Sequence, residues 1–330
     1  MKIVVVGLGS IGCRHLGNVA HCDPRVAVTV WHQQRGAGDA PQRIGSPSVV
    51  YSLTDALAFE PTAALITGPA SSHVATALEF VRRGVHVFVE KPLASSLDGV
   101  SELIECCRAR GVLLMVGYCF RFYAPLNALR DAVRSGLIGR IVSVRAEVGQ
   151  YLPDWRPSRD YRETVSARKD QGGGALLELS HEIDYVRWIV GEVSAVSART
   201  ARLSNLDLDV EDTAEVVVDF ADGALASIHL DMLQRVAFRG CRIVGTEGTL
   251  TWDAQSHTVR HYAPGLPDGV LLHQSGPGAF DEMYRAELSS FLRAVETGEP
   301  AGASGDDGRR VLEIIAAARQ SSAEGRTVIV

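Results

Sequence analysis

Several features that mark special classes of protein are missing from this 330-residue sequence. No apolar run approaches the roughly 20 residues that span a bilayer, and no charged leader with an apolar core precedes the opening "KIVVVG". Basic residues are not in excess, because 33 Lys and Arg stand against 39 Asp and Glu, which argues against nucleic acid as a partner. We therefore expect a cytoplasmic protein that binds neither membrane nor nucleic acid.

The cysteines lack any metal-binding or redox spacing. The six lie scattered at positions 13, 22, 106, 107, 119 and 241, and none forms a CxxC pair. We expect no metal site, and we interpret the cysteines as small buried side chains in a reducing compartment. Cys119, in the loop-like stretch "GYCFRF", is the alternative candidate for a nucleophile.

The length predicts two domains, since one domain usually takes about 150 residues. The first third alternates short β-branched runs with helical periodicity, which predicts a doubly wound parallel sheet. Strands are expected at 26–31, 63–67, 86–90 and 113–118, after an opening strand, and helices at about 52–58, 72–83 and 96–110. We assign residues 1–120 to this Rossmann domain and residues 121–330 to a second, α+β domain.

A glycine motif follows the opening strand. Gly7, Gly9 and Gly12 form GxGxxG between that strand and a helical segment. In a dinucleotide site these glycines allow the tight turn, the approach of the pyrophosphate and the packing of helix on strand. The amides at the helix N-terminus, from Ser10 and Ile11 onward, would face the anion.

The end of the second strand bears on the choice of coenzyme. The stretch "WHQQRG" contains no acid to bind the 2′-hydroxyl of NAD, whereas His32 and Arg35 offer donors and positive charge to a 2′-phosphate. We therefore predict NAD(P) as the cofactor, with NADP favoured; the alternative is that Arg35 is a solvated loop residue.

A charged tripeptide ends the strand at 86–90. Glu90, Lys91 and Pro92 lie at the carboxyl edge of the predicted sheet, where open α/β folds bind ligands. A cis Lys91-Pro92 bond would hold the ammonium in a fixed direction.

With "GLGSIGCRHLGN", "TGPASSH", "HVFVEKPLA", "VGYCFRF", "GRIVSVRAE" and "GGGALLELSHEIDYVRWIVG", the chain resembles the Gfo/Idh/MocA family over nearly its whole length. The resemblance implies a dinucleotide-binding domain, a second domain with a large open, mostly antiparallel sheet, and oxidation or reduction at a sugar or cyclitol carbon. It implies Lys91 and His181 as catalytic residues. It also places Glu90, Pro92, Pro69 and His73 near the cofactor.

A regular strip of polar residues surrounds the candidate histidine. Glu178, His181 and Asp184 recur every third position, so one helix would carry them as a slanted row. The glycines at 172–174 would let the chain lie flat against a ligand. Relatives commonly place an Asp four residues before the histidine, and Glu178 is only three before it. The sequence leaves open whether Glu178 or Asp184 takes that role.

The chemistry of this group follows from ordinary pKa values. An imidazole with a pKa of about 6.5 can take a hydroxyl proton near neutrality, which favours His181 as general acid/base. Lys91 would stabilise a developing alkoxide or relay the proton. The sequence does not decide which of the two moves the proton.

A polar, aromatic and proline-broken segment at 149–174 is interpreted as the specificity loop. Aromatic rings stack on sugars, and arginine forks bind hydroxyls or carboxylates. The alternative is a solvated connector. The residues expected at the substrate, besides Glu178 and Asp184, are Arg121, Tyr151, Trp155, Arg156 and Arg168.

The second domain becomes rich in strands from residue 139. "ADG" at 221–223 and "TEG" at 246–248 are hairpin signals, so antiparallel pairing is expected. Late helices are expected at about 280–297 and 307–322. Apolar residues alternate along two of the strands and predict a surface that pairs with another subunit, giving a homodimer or homotetramer. These residues are Val216, Val218, Leu225, Ile228 and Leu230.

The leading hypothesis is an NAD(P)-dependent dehydrogenase or reductase acting at a ring secondary alcohol of a sugar or cyclitol. One alternative is a non-redox sugar enzyme of the same family that uses nicotinamide transiently. Another is a binding protein that senses the cofactor ratio without chemistry.

Overall fold

The computed structural model describes residues 1–32 and 47–330, and the chain forms two compact units. The first unit comprises Met1–Cys119 and Asp281–Arg309, and the second comprises Phe120–Phe280 and Arg310–Val330. The break after Cys119 lies next to the predicted boundary. The structure differs in one segment, because residues 281–309 pack with the first unit.

The first unit is built on a parallel sheet with crossover helices, as the alternation of elements predicted. Its parallel strands are β1 (Lys2–Val6), β2 (Ala27–Trp31), β3 (Ser48–Val50), β4 (Ala63–Ile66), β5 (His86–Glu90) and β6 (Leu114–Gly117). Its helices include α1 (Ser10–Cys22), α2 (Leu53–Ala58), α3 (His73–Val81) and α4 (Val100–Arg110). The sheet is a Rossmann-like frame that gathers the loops after β1, β4 and β5 at its carboxyl edge.

Helix α4 starts later than the sequence indicated. It begins at Val100 instead of about 96, because Gly99 just before it adopts a left-handed φ of 71°. Residues of a right-handed α-helix have a negative φ, so Gly99 cannot belong to the helix. The segment 96–99 therefore stays outside the helix.

The second unit is built around a nine-stranded sheet. It begins with α5 (Ala124–Arg134), β7 (Ile141–Gly149), α6 (Ala175–Glu178), α7 (His181–Val190) and β8 (Val193–Ala201). Further strands are β9 (Thr213–Phe220), β10 (Leu225–Asp231), β11 (Phe238–Gly245), β12 (Thr249–Asp253), β13 (Thr258–Ala263) and β14 (Leu266–Gln274). Helix α8 (Ala279–Thr297), β15 (Ala303–Ser304), α9 (Gly305–Glu324) and β16 (Val328–Ile329) complete the chain.

Residues 281–309 return to the first unit through packing and strand pairing. Phe291 of α8 meets Phe88 of β5 edge-on, with ring centroids 5.6 Å apart. Strand β15 pairs antiparallel with β6, so that the described residues of the first sheet form seven strands in the order β15-β6-β5-β4-β1-β2-β3. A distant segment therefore closes one edge of the nucleotide-type sheet, which no local pattern indicates.

The large sheet has the strand order β14-β13-β12-β11-β7-β10-β9-β8-β16. Both predicted hairpins are confirmed, since β9 pairs antiparallel with β10 and β11 with β12. One pair departs from the expectation, because β7 and β10 run parallel. Helices α5 and α7 pack on this sheet.

The alternating valines do not form a free surface as predicted. Val216 is 1% exposed, and Val218, Ile228 and Leu230 are likewise buried in the core of the unit. The side chains of the opposite parity face outward, and Leu225, 46% exposed, belongs to that face together with Val217. A strand pattern shows that two faces differ, and only the packing of α7 against β7 and β10 shows which face is covered.

Within residues 1–32 and 47–330, no helix is both long and apolar enough to cross a bilayer.

Candidate functional site

The glycine motif forms a tight turn between β1 and α1. Gly7 has a left-handed φ of 94°, and its amide donates to the carbonyl of Trp31 at 3.0 Å. A Cβ on Gly12 would collide with the Gly7 carbonyl oxygen and the Thr67 hydroxyl. The Thr67 hydroxyl in turn donates to the Val6 carbonyl at 2.8 Å. Gly7 and Gly12 therefore have the turning and packing roles that the motif predicted.

Gly9 differs from the other two glycines of the motif because it faces open space. A Cβ there would meet no atom within 4 Å, and Gly9 is the N-cap residue of α1. The first turn of α1 contains no acid, and the amides of Ser10, Ile11 and Gly12 precede the first intrahelical bond, from the Cys13 amide to the Gly9 carbonyl. This cradle fits the pyrophosphate of a dinucleotide, which the amides and the helix dipole would hold.

The loop after β4 contains Pro69 and His73. Pro69 precedes the 3-10 turn Ala70–Ser72, and its carbonyl accepts from the Ser72 hydroxyl at 2.8 Å. His73, 1% exposed, lies with Nδ1 2.9 Å from the Pro92 carbonyl and Nε2 2.8 Å from the Gly68 carbonyl. The imidazolium can donate both bonds and the neutral ring one of them. Because burial lowers the pKa of His73, the neutral ring is favoured.

The tripeptide Glu90-Lys91-Pro92 begins at the last residue of β5 and contains a cis Lys91-Pro92 bond. Glu90 is buried, and its carboxylate is engaged inside the unit. One oxygen lies 2.6 Å from Nε2 of His15, and the other accepts from the Lys91 amide at 3.1 Å. Gly117 on β6 leaves room for the carboxylate, since a Cβ there would lie 3.1 Å from Oε2. Glu90 thus serves the backbone around Lys91 rather than presenting a free charge.

His15 was not selected from the sequence, although a signal was present. It lies on α1 four residues after Ile11 and four before Val19, on the helix face that packs inward. A histidine in the middle of such a face needs a polar partner, and Glu90 supplies it from 75 positions away.

Cys119 does not fit the role of a nucleophile. Its side chain is 2% exposed, and burial, together with the nearby acids Glu287 and Glu90, raises the pKa of the thiol well above its usual value. The reactive form of cysteine is the thiolate. The thiol form is therefore favoured, and Cys119 acts as a small core residue.

The structure describes one of the two residues that were predicted to select the coenzyme. His32 lies at the end of β2, where its amide donates to the Val50 carbonyl at 2.9 Å. This bond places His32 at the carboxyl edge of the sheet, as predicted. Arg35 lies outside the described residues.

The predicted row Glu178–His181–Asp184 is interrupted by a break in the helix. Helix α6 ends at Glu178 and α7 begins at His181, with Leu179 and Ser180 between them. The expectation of one continuous helix is therefore wrong, and only His181 and Asp184 share a helix. The Asp184 amide donates to the Ser180 carbonyl at 3.0 Å and forms the first turn of α7.

Glu178 and the glycines before it are occupied within the unit. The Ser166 hydroxyl donates to Glu178 at 3.0 Å. A Cβ on Gly173 would collide with the carbonyls of Val165 and Ser166, and one on Gly174 would collide with the carboxylate of Glu211. Gly173 and Gly174 therefore allow close chain packing, and the expected contact of the glycine run with a ligand stays a prediction.

His181 is 7% exposed and lies edge-on to Phe120, with ring centroids 4.9 Å apart. The guanidinium of Arg239 lies over the ring of Phe120, 4.8 Å from its centroid. The same guanidinium pairs with the fully buried Glu182 at 2.9 Å. Glu182, Arg239 and Phe120 were missed in the sequence, because they meet only when β11 lies beside α7.

Arg121 and Asp184 were predicted as separate substrate contacts. In the structure they bind each other, through Nε to Oδ2 at 3.1 Å and through a terminal nitrogen to Oδ1 at 2.7 Å. The pair joins the 3-10 turn Cys119–Phe122 to the first turn of α7. It therefore holds the position of the helix that carries His181.

The segment 149–174 contains only short 3-10 helices between β7 and α6. Trp155 and Arg156 line a shallow surface depression together with Leu152, Tyr161 and Thr164. Tyr151 lies apart from it, with the guanidinium of Arg235 over its ring at 3.6 Å from the centroid. Arg168 is exposed and pairs with Asp170 at 3.6 Å. Of the four predicted side chains, the structure thus brings two together.

Within the part of the chain that the structure describes, no group of three His, Cys, Asp or Glu side chains is arranged to hold a metal ion.

Comparison with known families agrees with this geometry. A family model described as "Oxidoreductase family, NAD-binding Rossmann fold" matches residues 1–118, and one described as "GFO/IDH/MocA C-terminal domain" matches residues 126–251. The chain belongs to the GFO/IDH/MocA oxidoreductase family. Its first unit is an NAD-binding Rossmann domain, so the predicted family, fold class and oxidoreductase function are confirmed.

Individual members of the family match over most of the chain. A myo-inositol 2-dehydrogenase of Thermotoga maritima is 30% identical, with 99% of this chain and 98% of the relative covered. A 1,5-anhydro-D-fructose reductase of Ensifer adhaerens is 28% identical, with 72% and 70% covered. The solved structure of GenD2 from gentamicin A biosynthesis, in complex with NAD, is 28% identical with a TM-score of 0.86, covering 100% of this chain and 96% of GenD2.

Proposed function

We propose that this oxidoreductase transfers a hydride between a nicotinamide coenzyme and a secondary alcohol or ketone carbon of a sugar, sugar derivative or cyclitol. The observation that carries the proposal is the pairing of an open glycine cradle at Gly9 with Lys91 at the carboxyl edge of the same sheet. The relatives named for inositol and anhydrofructose support the substrate class.

Coenzyme binding, charge stabilisation and proton transfer are assigned to different residues of the chain. The amides of Ser10 and Ile11 would hold the pyrophosphate, and the coenzyme, when bound, supplies the hydride acceptor or donor. The ammonium of Lys91 stabilises negative charge that develops on the substrate oxygen. A ring nitrogen of His181 takes the hydroxyl proton during oxidation and returns it during reduction. The nearly complete burial of His181 keeps water away from that proton.

Four finer properties belong to the proposal. NADP is favoured over NAD because positions 32–36 contain no acid and include His32 and Arg35. A homodimer or homotetramer forms through the large sheet, and the exposed Val217 and Leu225 support this use of its outer face. The cytoplasmic location and the substrate roles of Trp155 and Arg156 likewise stay predictions.

The test begins with purified protein titrated with NADH and NADPH by fluorescence. A sugar and cyclitol panel with the preferred coenzyme then follows, read as change in nicotinamide absorbance. Lys91→Met and His181→Asn are each expected to lower kcat by about 100-fold or more while coenzyme affinity is kept, because positioned acid–base groups contribute factors of that size. Arg82→Gln, on the exposed pair with Glu102, is the matched control and should keep full activity.

Two results would contradict the proposal. Product formed without net turnover of added coenzyme, with a tightly retained nicotinamide, would indicate the non-redox alternative. Coenzyme binding with no turnover across the panel, unchanged by Lys91→Met, would indicate a sensor protein.

A further inference from the structure

We propose that His15 and His73, two buried histidines outside the predicted catalytic pair, are positioning residues for Lys91. The inference rests on the proposed function, because it concerns the lysine that serves the reacting oxygen. It deepens that function by assigning residues that hold the lysine's main chain.

The first contact that positions Lys91 comes from His15 on α1. His15 Nε2 lies 2.6 Å from Oε1 of Glu90, and Oε2 of the same carboxylate accepts from the Lys91 amide at 3.1 Å. The imidazole of His15 is completely buried and its ring packs edge-on to Phe88 at 5.0 Å. Because a buried carboxylate with a buried partner has few alternative positions, Glu90 orients the peptide N–H of Lys91.

The second contact that positions Lys91 comes from His73 on α3. His73 lies with Nδ1 2.9 Å from the carbonyl of Pro92 and with Nε2 2.8 Å from the carbonyl of Gly68. One ring thus links the loop after β4 to the residue that follows Lys91. Buried imidazoles from two crossover helices therefore act on residues 90–92, His15 through the Glu90 carboxylate and His73 directly on the Pro92 carbonyl.

This arrangement also connects Lys91 to the dinucleotide cradle. His15 lies on the same helix as Ser10 and Ile11, whose amides precede the first intrahelical bond, from Cys13 to Gly9. Displacement of α1 would move His15 and, through Glu90, the Lys91 amide. The lysine that touches the substrate is consequently held by the helix that would hold the coenzyme.

A double-mutant cycle tests whether the histidines act through Lys91. His15→Leu should lower kcat by about 10- to 100-fold, the range expected when a catalytic group is misplaced by about 1 Å. His15→Gln keeps an N–H near the position of Nε2 and should recover most of the loss. In a Lys91→Ala background, His15→Leu should cost less than about threefold, because there is no ammonium left to position. His73→Leu should behave in the same way.

The control is His86, which lies at the opposite end of β5 and accepts from the Leu113 amide through Nδ1 at 2.9 Å. His86→Leu removes a partly buried histidine from the same strand and should leave kcat near the parent value. Thermal unfolding and NADH titration of every variant show whether the fold and coenzyme binding are kept. The pH profile of kcat should shift in His15→Leu and stay in place in His86→Leu.

The outcomes separate the two proposals. If Lys91→Ala keeps full activity, the proposed function fails. If Lys91→Ala is impaired and His15→Leu costs the same factor with and without Lys91, the positioning role is wrong and the proposed function stands. If Lys91→Ala is too slow to measure, the cycle is run on Lys91→Arg, which retains a cation.

Discussion

Arg121 and Asp184 form a bidentate ion pair in which the side chains are 8% and 1% exposed. Each was predicted to contact a substrate, and each has a partner inside the second unit. Removing one member of a buried pair leaves the other charge without compensation, which costs about 3–5 kcal/mol. The pair therefore sets how well the first turn of α7, and His181 on it, is held.

Asp184→Asn is accordingly expected to destabilise the fold by about 3 kcal/mol and to lower kcat, because α7 loses its ionic anchor. Glu102→Gln breaks the exposed pair with Arg82 and should cost less than about 1 kcal/mol. Denaturant unfolding and steady-state kinetics check both variants. Unchanged stability in Asp184→Asn, with loss confined to KM, would instead indicate that Asp184 contacts the substrate.

Gly9 and Gly12 should respond differently to the same added methyl group. Gly9→Ala places it in open space, so the fold should be kept while the Kd for coenzyme rises about tenfold, the cost of crowding the pyrophosphate. Gly12→Ala drives it into the Gly7 carbonyl and should destabilise the protein by about 1–3 kcal/mol. Thermal unfolding and NADH titration separate the two effects, and equal losses of stability would contradict the assignment.

Coenzyme choice can be tested at Arg35. Arg35→Ala should raise the Kd for NADPH about tenfold and leave that for NADH unchanged, since only the former carries the 2′-phosphate. Arg25→Ala, which breaks an exposed pair with Asp23, is the control for a lost positive charge in the same unit. Tighter binding of NADH than of NADPH by the parent protein would overturn the preference for NADP.

His229 is expected to make the protein less stable at alkaline pH. Hydrogen bonding to Asp231, followed by Glu215, raises its pKa to about 9 although burial opposes the shift. The folded pKa thus exceeds the unfolded value of about 6.5, so the stabilisation is full below that value and is lost as pH rises through about 9. His229→Gln should reduce the loss of stability between pH 7 and pH 10. An identical pH dependence in the variant and the parent would refute this role.

The outer face of the large sheet can be tested with neighbouring valines. Val217 is 43% exposed and Val216 is 1% exposed on the same strand. Val217→Asp should dissociate the proposed oligomer and keep the fold, whereas Val216→Asp should unfold the unit, because it buries an unpaired charge. Light scattering and circular dichroism distinguish these results. A mass unaffected by Val217→Asp would place any subunit contact elsewhere.

The dinucleotide half of the site was largely predictable because its determinants are local. Gly7 needs a left-handed φ and Gly12 needs the absence of a side chain, and both requirements belong to one turn. Lys91 lies directly after a buried strand, so its place at the carboxyl edge follows from the strand. The expectation that one helix carries Glu178, His181 and Asp184 was wrong, because the break at Leu179 and Ser180 contains no proline or glycine that would indicate it.

The partners of the site residues could not be predicted in the same way. Glu90 meets His15 across 75 positions, and Arg121 meets Asp184 across 63. Either acid was equally compatible with contact to a ligand, since charge alone does not identify a partner. Sequence alternation likewise distinguished the two faces of β9 and β10, but only the packing of α6 and α7 showed that the apolar face is covered within the unit.

The sequence by itself determined the alternation of strands and helices in the first domain, the glycine turn and the position of Lys91, because each depends on backbone preferences and on periodicity within a few residues. Only the tertiary structure decided which carboxylates are paired inside the protein, which sheet face is buried and which segment closes the first sheet. Those outcomes depend on distances between residues far apart in the chain, and such distances exist only after the elements have packed.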